Sequence, residues 1–146
     1  MTNLYLLSLV AVVGGIAVAL QAQLMGLLDR QIGTLESVFI TYGSGGLLIG
    51  LVMLYMRGGH LSLWHTVPWY AYLSGVIGLI IVASIGFSVP RLGLVTAFTL
   101  MVAAQFIVGA LLDHHGFLGA EVRQLNLQKV AGMFFVLIGV WLTVRS

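Results

Sequence analysis

The chain has no cysteine, and of its 146 residues only six are Lys or Arg and only four are Asp or Glu. The first lack excludes disulfides and thiolate metal sites. The second excludes an ordinary water-soluble surface, because charged residues make up 7% of the chain where soluble domains carry about 25%. No charge precedes Asp29, and no Lys or Arg stands ahead of the first apolar run as a secretory signal would require. That run, which also lacks a clear A-x-A cleavage site at its end, is expected to stay in place as a membrane helix.

What is present is apolar. Hydrophobic residues are 60% of the chain and mean hydropathy is +1.12, the composition of an integral membrane protein. Charges, Gly/Pro punctuation and aromatics mark five runs near the ~20 residues needed to cross a bilayer as a helix. Spans are expected at 4–26, 36–56, 69–89, 94–113 and 127–144. The last requires Lys129 to snorkel to the interface. The runs are continuous rather than alternating, so the expected fold is an all-α bundle in a single transmembrane domain, 1–146. Small residues spaced by four, Ala11, Gly15 and Ala19, Gly46 and Gly50, and Ala71 and Gly75, predict tight helix packing.

Orientation is undecided by charge. Five spans place Arg30, Arg91 and Arg145 on one side and Arg57, Arg123 and Lys129 on the other, an even division that gives the positive-inside rule nothing to act on. Two copies inserted oppositely would be related by a pseudo-two-fold axis in the membrane plane, as in inverted-repeat transporters.

Several motifs carry a resemblance. VPRLG at 89–93, Gln105 in the middle of the fourth span, and LLDHHGFLG from Leu111 to Gly119 are joined by ALQAQLMGLL from Ala19, IGTLES from Ile32 and TYGSGG from Thr41. Over essentially the whole chain, this set resembles the YdcZ-type five-helix proteins, a short branch of the drug/metabolite transporter (DMT) superfamily. The chain departs from that pattern at Met25, where an asparagine is more usual, and at Thr41-Tyr42, where a Ser-Phe pair is usual. The resemblance implies half of a ten-helix inverted-repeat bundle in the bacterial cytoplasmic (inner) membrane. The expected partners are the lipid bilayer, a small-molecule substrate, and a second copy in opposite orientation or a paired homologue.

Polar residues inside spans are costly unless paired or hydrated, so they are the candidates for a solute path. Gln21 and Gln105 are the two amides. Ser37, Thr41 and Ser44 form a stripe on the second span, and Ser84 lies on the third. Each hydroxyl alone can bond back to its own helix, and glutamines can act as glue between helices. As a set with Tyr42, these residues are expected to line a hydrated cavity. Trp64, Trp69, Tyr70 and Tyr72 are expected to form an interfacial belt.

Charged candidates lie at helix ends. Asp113 closes the fourth span in the unfavourable half of the macrodipole and is expected to pair with Arg123 or Lys129 and to affect gating. Adjacent His114 and His115 do not aim naturally at one metal ion, although a histidine beside a carboxylate can relay protons. Glu36 is favoured by a helix N-terminus. No carboxylate stands near mid-membrane, which disfavours proton antiport of the small multidrug-resistance kind. Any coupling would fall to Glu36 or Asp113, with Arg123 nearby.

No nucleophile with a base, phosphate-binding glycine motif, cofactor site or nucleic-acid signature can be read from the sequence. The expected function is transport of a small polar metabolite by alternating access as an antiparallel dimer. A dual-topology ion channel and a structural or lipid-handling membrane protein are the alternatives.

Overall fold

A computed structural model describes residues 4–119 and 121–145 of the chain. All five expected spans are helices: α1 Leu4–Ile32, α2 Thr34–Tyr55, α3 Ser74–Leu92, α4 Leu94–His115 and α5 Leu127–Arg145. No strand occurs among the described residues. Each helix is long and apolar enough to span a bilayer, the third when its 3₁₀ lead-in Trp69–Leu73 is included. The chain is therefore a five-helix integral membrane protein.

Helix ends differ from those expected, for one physical reason. Charge and proline mark where hydrocarbon ends, but a helix continues until its backbone is turned. Thus α1 runs past Met25 and Gly26 through Asp29 and Arg30 to Ile32, α2 begins at Thr34 rather than residue 36, and α4 extends to His115 rather than 113. At about 1.5 Å per residue, the 29 residues of α1 exceed the hydrocarbon thickness and carry those charges into the interface. Pro90 lies inside the last turn of α3, which ends at Leu92 rather than 89.

The stops are glycines with positive φ. Gly33 (φ 102, ψ 163) alone joins α1 to α2, and Gly93 (φ 82, ψ 156) alone separates α3 from α4. Both lie in a region that is essentially closed to residues with a Cβ. Gly116 ends α4 in the left-handed conformation (φ 66, ψ 28), its N–H donating to the Leu112 carbonyl.

The chain divides into two compact units, residues 1–91 and 92–146. In the first, α2 folds back on α1, and the hydroxyl of fully buried Ser37 donates to the Met25 carbonyl at 3.1 Å. α3 meets α1 where glycine leaves room. A Cβ on Gly86 would stand 3.3 Å from the Met25 terminal methyl, and one on Gly26 would stand 3.5 Å from Val89. The Tyr42 hydroxyl of α2 occupies the space a Cβ on Gly78 would need. These approaches are not the ones expected. Within residues 4–91, nothing comes within 4 Å of a Cβ built on Gly15, Gly46, Gly50 or Gly75. The four-residue spacing identified positions that permit close packing, whereas the bulk of the opposing residue decides which glycines are used.

The aromatics expected in a belt gather in the α2–α3 connection. Trp69 stacks edge-on against Tyr70, and the Tyr72 hydroxyl donates to the Trp64 carbonyl. At the other end of this unit, the C-terminal turns of α1 and α3 are tied together. Arg91 pairs with Asp29 at 3.2 Å, Arg30 donates to the Pro90 carbonyl at 3.3 Å, and the Thr34 hydroxyl donates to Asp29.

In the second unit α4 packs on α5. Asn126 caps α5, its Oδ1 accepting the Lys129 N–H at 2.8 Å. The α4–α5 connection is pinned by the Arg123 N–H, which donates to the Asp113 carbonyl at 2.9 Å.

Candidate functional site

A cavity of about 510 Å³ lies between α4 and α5, in the ~300–1,000 Å³ range of small-ligand sites. Its α4 wall follows the helical repeat, with Gln105, Phe106, Gly109, Ala110 and Asp113. The facing wall is Lys129, Gly132, Met133 and Val136 of α5, spaced i, i+3, i+4 and i+7, with Arg123 and Leu125 from the connection. Gly109 and Gly132 leave the space between the walls open. Within residues 92–146, nothing lies within 4 Å of a Cβ built on either.

The charges share one end of this cavity, because Asp113 is in the last turn of α4 while Arg123 and Lys129 stand in the connection and the first turn of α5. Their pairing differs from expectation. The Arg123 guanidinium turns to Glu121 at 3.2 Å, with both side chains largely exposed. Only the Arg123 backbone reaches Asp113. Among the described residues, no ion pair engages the Asp113 carboxylate or the Lys129 ammonium. The connection folds back so that its backbone bonds the end of α4, and the neighbouring Glu121 is nearer to the guanidinium than Asp113 is.

The other expected site residues fall into distinct roles. Gln21, Ser37, Thr41, Tyr42, Ser44 and Ser84 belong to the first unit, Gln105 to the second. Ser37 is committed to the Met25 carbonyl, as glue between helices. Ser44 donates to the Thr41 carbonyl at 3.2 Å and Ser84 to the Ile80 carbonyl at 2.7 Å, the local bonding open to any helix hydroxyl. Gln21 is exposed on α1 and Thr41 is half-buried. The Glu36 carboxylate lies against Gly33 in the first turn of α2, where the helix dipole favours an acid. His114 and His115 stack edge-on on each other at 4.9 Å, and His115 stacks on Phe117.

Two sets of groups have a larger part in the structure than sequence alone assigns them. Lys129 reads as an anchor for a short span, yet it lines the same cavity as Asp113. The signal was its place in the first turn of α5, where the dipole disfavours a cation, opposite an acid in the last turn of α4. Asp29 and Arg91 counted only as loop charges, because the first span was expected to end before Asp29 and the third before Arg91.

A family model described as "Putative inner membrane exporter, YdcZ" matches residues 6–142. No curated protein and no solved structure matches the chain.

Proposed function

The chain belongs to the YdcZ family of inner membrane proteins, and from that premise we propose that it moves a small polar metabolite across the membrane by alternating access, as half of an antiparallel dimer. The observation that carries this reading is the α4–α5 cavity, where an amide and unpaired charges face open space between two membrane-spanning helices. Charged groups within or beside spans are retained at a cost, and a solute path is the usual reason for retaining them.

Dimerisation is supported by what the single chain leaves unused. No more than 17% of any span's most apolar 18-residue window is buried within the chain, and within residues 4–91 nothing lies within 4 Å of a Cβ built on Gly15, Gly46 or Gly50. An odd number of spans with evenly divided Lys/Arg suits a second copy inserted the other way. Flux of candidate metabolites into liposomes reconstituted with the purified chain tests the reading. Saturable flux is expected, and flux rising linearly with concentration would replace the carrier by a channel.

A further inference from the structure

We infer that the α4–α5 cavity is the solute site and that it takes a small zwitterionic amphiphile, its cationic group on Asp113, its anionic group on Lys129 and its apolar part between the two helices. The proposal deepens the transport reading, on which its physiological role rests.

The argument begins with where the charges are. Asp113 sits in the last turn of α4 and Lys129 in the first turn of α5, so each stands at the helix end whose dipole disfavours it. Such a position is normally relieved by a partner from the chain. Here the one guanidinium in the connection is taken by Glu121, and no ion pair among the described residues relieves either Asp113 or Lys129. Beside the Arg123–Glu121 pair, one negative and one positive group without an ion pair therefore face the same space, and a ligand carrying both charges complements both. A purely cationic ligand would meet Lys129, and a purely anionic one would meet Asp113.

The rest of the cavity sets the ligand's shape. Phe106, Ala110, Met133 and Val136 present hydrocarbon, and the missing side chains of Gly109 and Gly132 make the volume. Gln105 lies two helical turns from Asp113 along α4, giving one hydrogen-bonding group away from the charged end. A volume of about 510 Å³ fits a compact head with a short apolar chain and is too small for a whole diacyl lipid. The same head chemistry could come from a free solute or from a bilayer lipid that lends only its headgroup.

Three probes with matched eight-carbon chains separate the possibilities: an octyl dimethylglycine betaine, octyltrimethylammonium and octanoate. Binding of each is measured to the purified full chain in nanodiscs of anionic lipid. The betaine should bind tighter than either single-charge probe by on the order of tenfold, equivalent to about 1.4 kcal/mol. Asp113→Asn should erase its advantage over octanoate, and Lys129→Gln its advantage over octyltrimethylammonium. Gly109→Val, whose Cβ would stand in open space, should weaken all three.

Equal binding of the three probes, no binding of the betaine, or an advantage that survives both charge variants would overturn the proposal. Repeating the measurement in zwitterionic-lipid nanodiscs identifies the source of the head. Competition by the lipid in the wild-type chain but not in the charge variants assigns the site to a lipid headgroup, and undiminished betaine binding assigns it to a free solute. Charge-selective binding without any flux would leave this site standing and remove the transport reading. Flux without charge-selective binding would do the reverse.

Discussion

The carboxylate of Asp29 lies 3.2 Å from the guanidinium of Arg91, 62 residues away along the chain, with the Asp29 side chain only 5% exposed. Arg91 is held in turn by the Phe87 carbonyl at 2.6 Å and lies over the Phe87 ring at 3.8 Å. An acid in the last turn of a helix is opposed by the macrodipole, and here a cation from a second helix end offsets it. The pair therefore fastens α1 to α3 at one end of the first unit.

Removing either member of this pair should cost more than removing the exposed pair in the second unit. Arg91→Ala leaves a nearly buried carboxylate short of its charged partner and is expected to lower stability by about 1–3 kcal/mol. Arg123→Ala breaks a pair exposed on both sides and should cost no more than about 1 kcal/mol. Thermal unfolding of the purified variants checks the order. The double variant Asp29→Asn with Arg91→Ala should be less unstable than the sum of the two single changes, since the sites are in contact.

The glycine stops make a second prediction. Gly33→Ala places a Cβ in a backbone region that costs about 1–3 kcal/mol for other residues, and it also meets the Glu36 carboxylate at 2.8 Å. Gly93→Ala has the backbone penalty alone, because nothing lies within 4 Å of its Cβ. The melting temperature should therefore fall for both Gly33→Ala and Gly93→Ala, since the Glu36 side chain can swing aside and the backbone penalty is shared, while Gly15→Ala, in open space on a helix, should leave it unchanged or raise it. Equal losses at Gly33 and Gly15 would show that the turn is not strained.

How much of this was legible follows from what each signal measures. Hydropathy reads burial in lipid, so all five helices could be placed, while their ends could not, because Asp29, Arg30 and Pro90 leave hydrocarbon without leaving the helix. Gln105 and Asp113 stood out as polar groups in or beside a span, and both line the α4–α5 cavity. Ser37, Ser44 and Ser84 stood out for the same reason, yet their hydroxyls are used by backbone carbonyls. A sequence shows that a hydroxyl is present, whereas its partner depends on a carbonyl that a neighbouring turn brings near. Lys129 was legible as an interfacial anchor and as a partner for Asp113, but not as a wall of the cavity, because which side chains share a space depends on how α4 and α5 pack.

That distinction between glue and lining yields a third prediction. Ser37→Ala removes a fully buried hydroxyl bonded to Met25, so it should reduce stability by about 0.5–1.5 kcal/mol while leaving the KM of a transported solute unchanged. Gln105→Leu, on an exposed cavity wall, should show the opposite pattern, with stability kept and KM raised. Melting curves and concentration-dependent liposome flux on the same preparations measure both. A KM shift from Ser37→Ala would return that residue to the solute path.

The last prediction concerns orientation. Arg30 and Arg91 sit at the helix ends that meet at one face of the first unit, and Arg57 follows α2 at the other end, so these charges flank the spans, where the positive-inside rule counts them. With three Lys or Arg residues on each side of five spans, the positive-inside rule favours neither insertion. Because the total is so small, one or two added charges should shift the population strongly, whereas a chain with a fixed topology would hardly respond. The natural sequence has no cysteine, so a single cysteine appended after Ser146 reports orientation without background. An impermeant thiol reagent should modify comparable fractions from each side of the membrane, and two added lysines at the same terminus should drive labelling toward the cytoplasmic side. A paired, oppositely biased relative would instead require this chain to insert one way. Labelling from one side alone would therefore exclude the antiparallel homodimer and point to that relative.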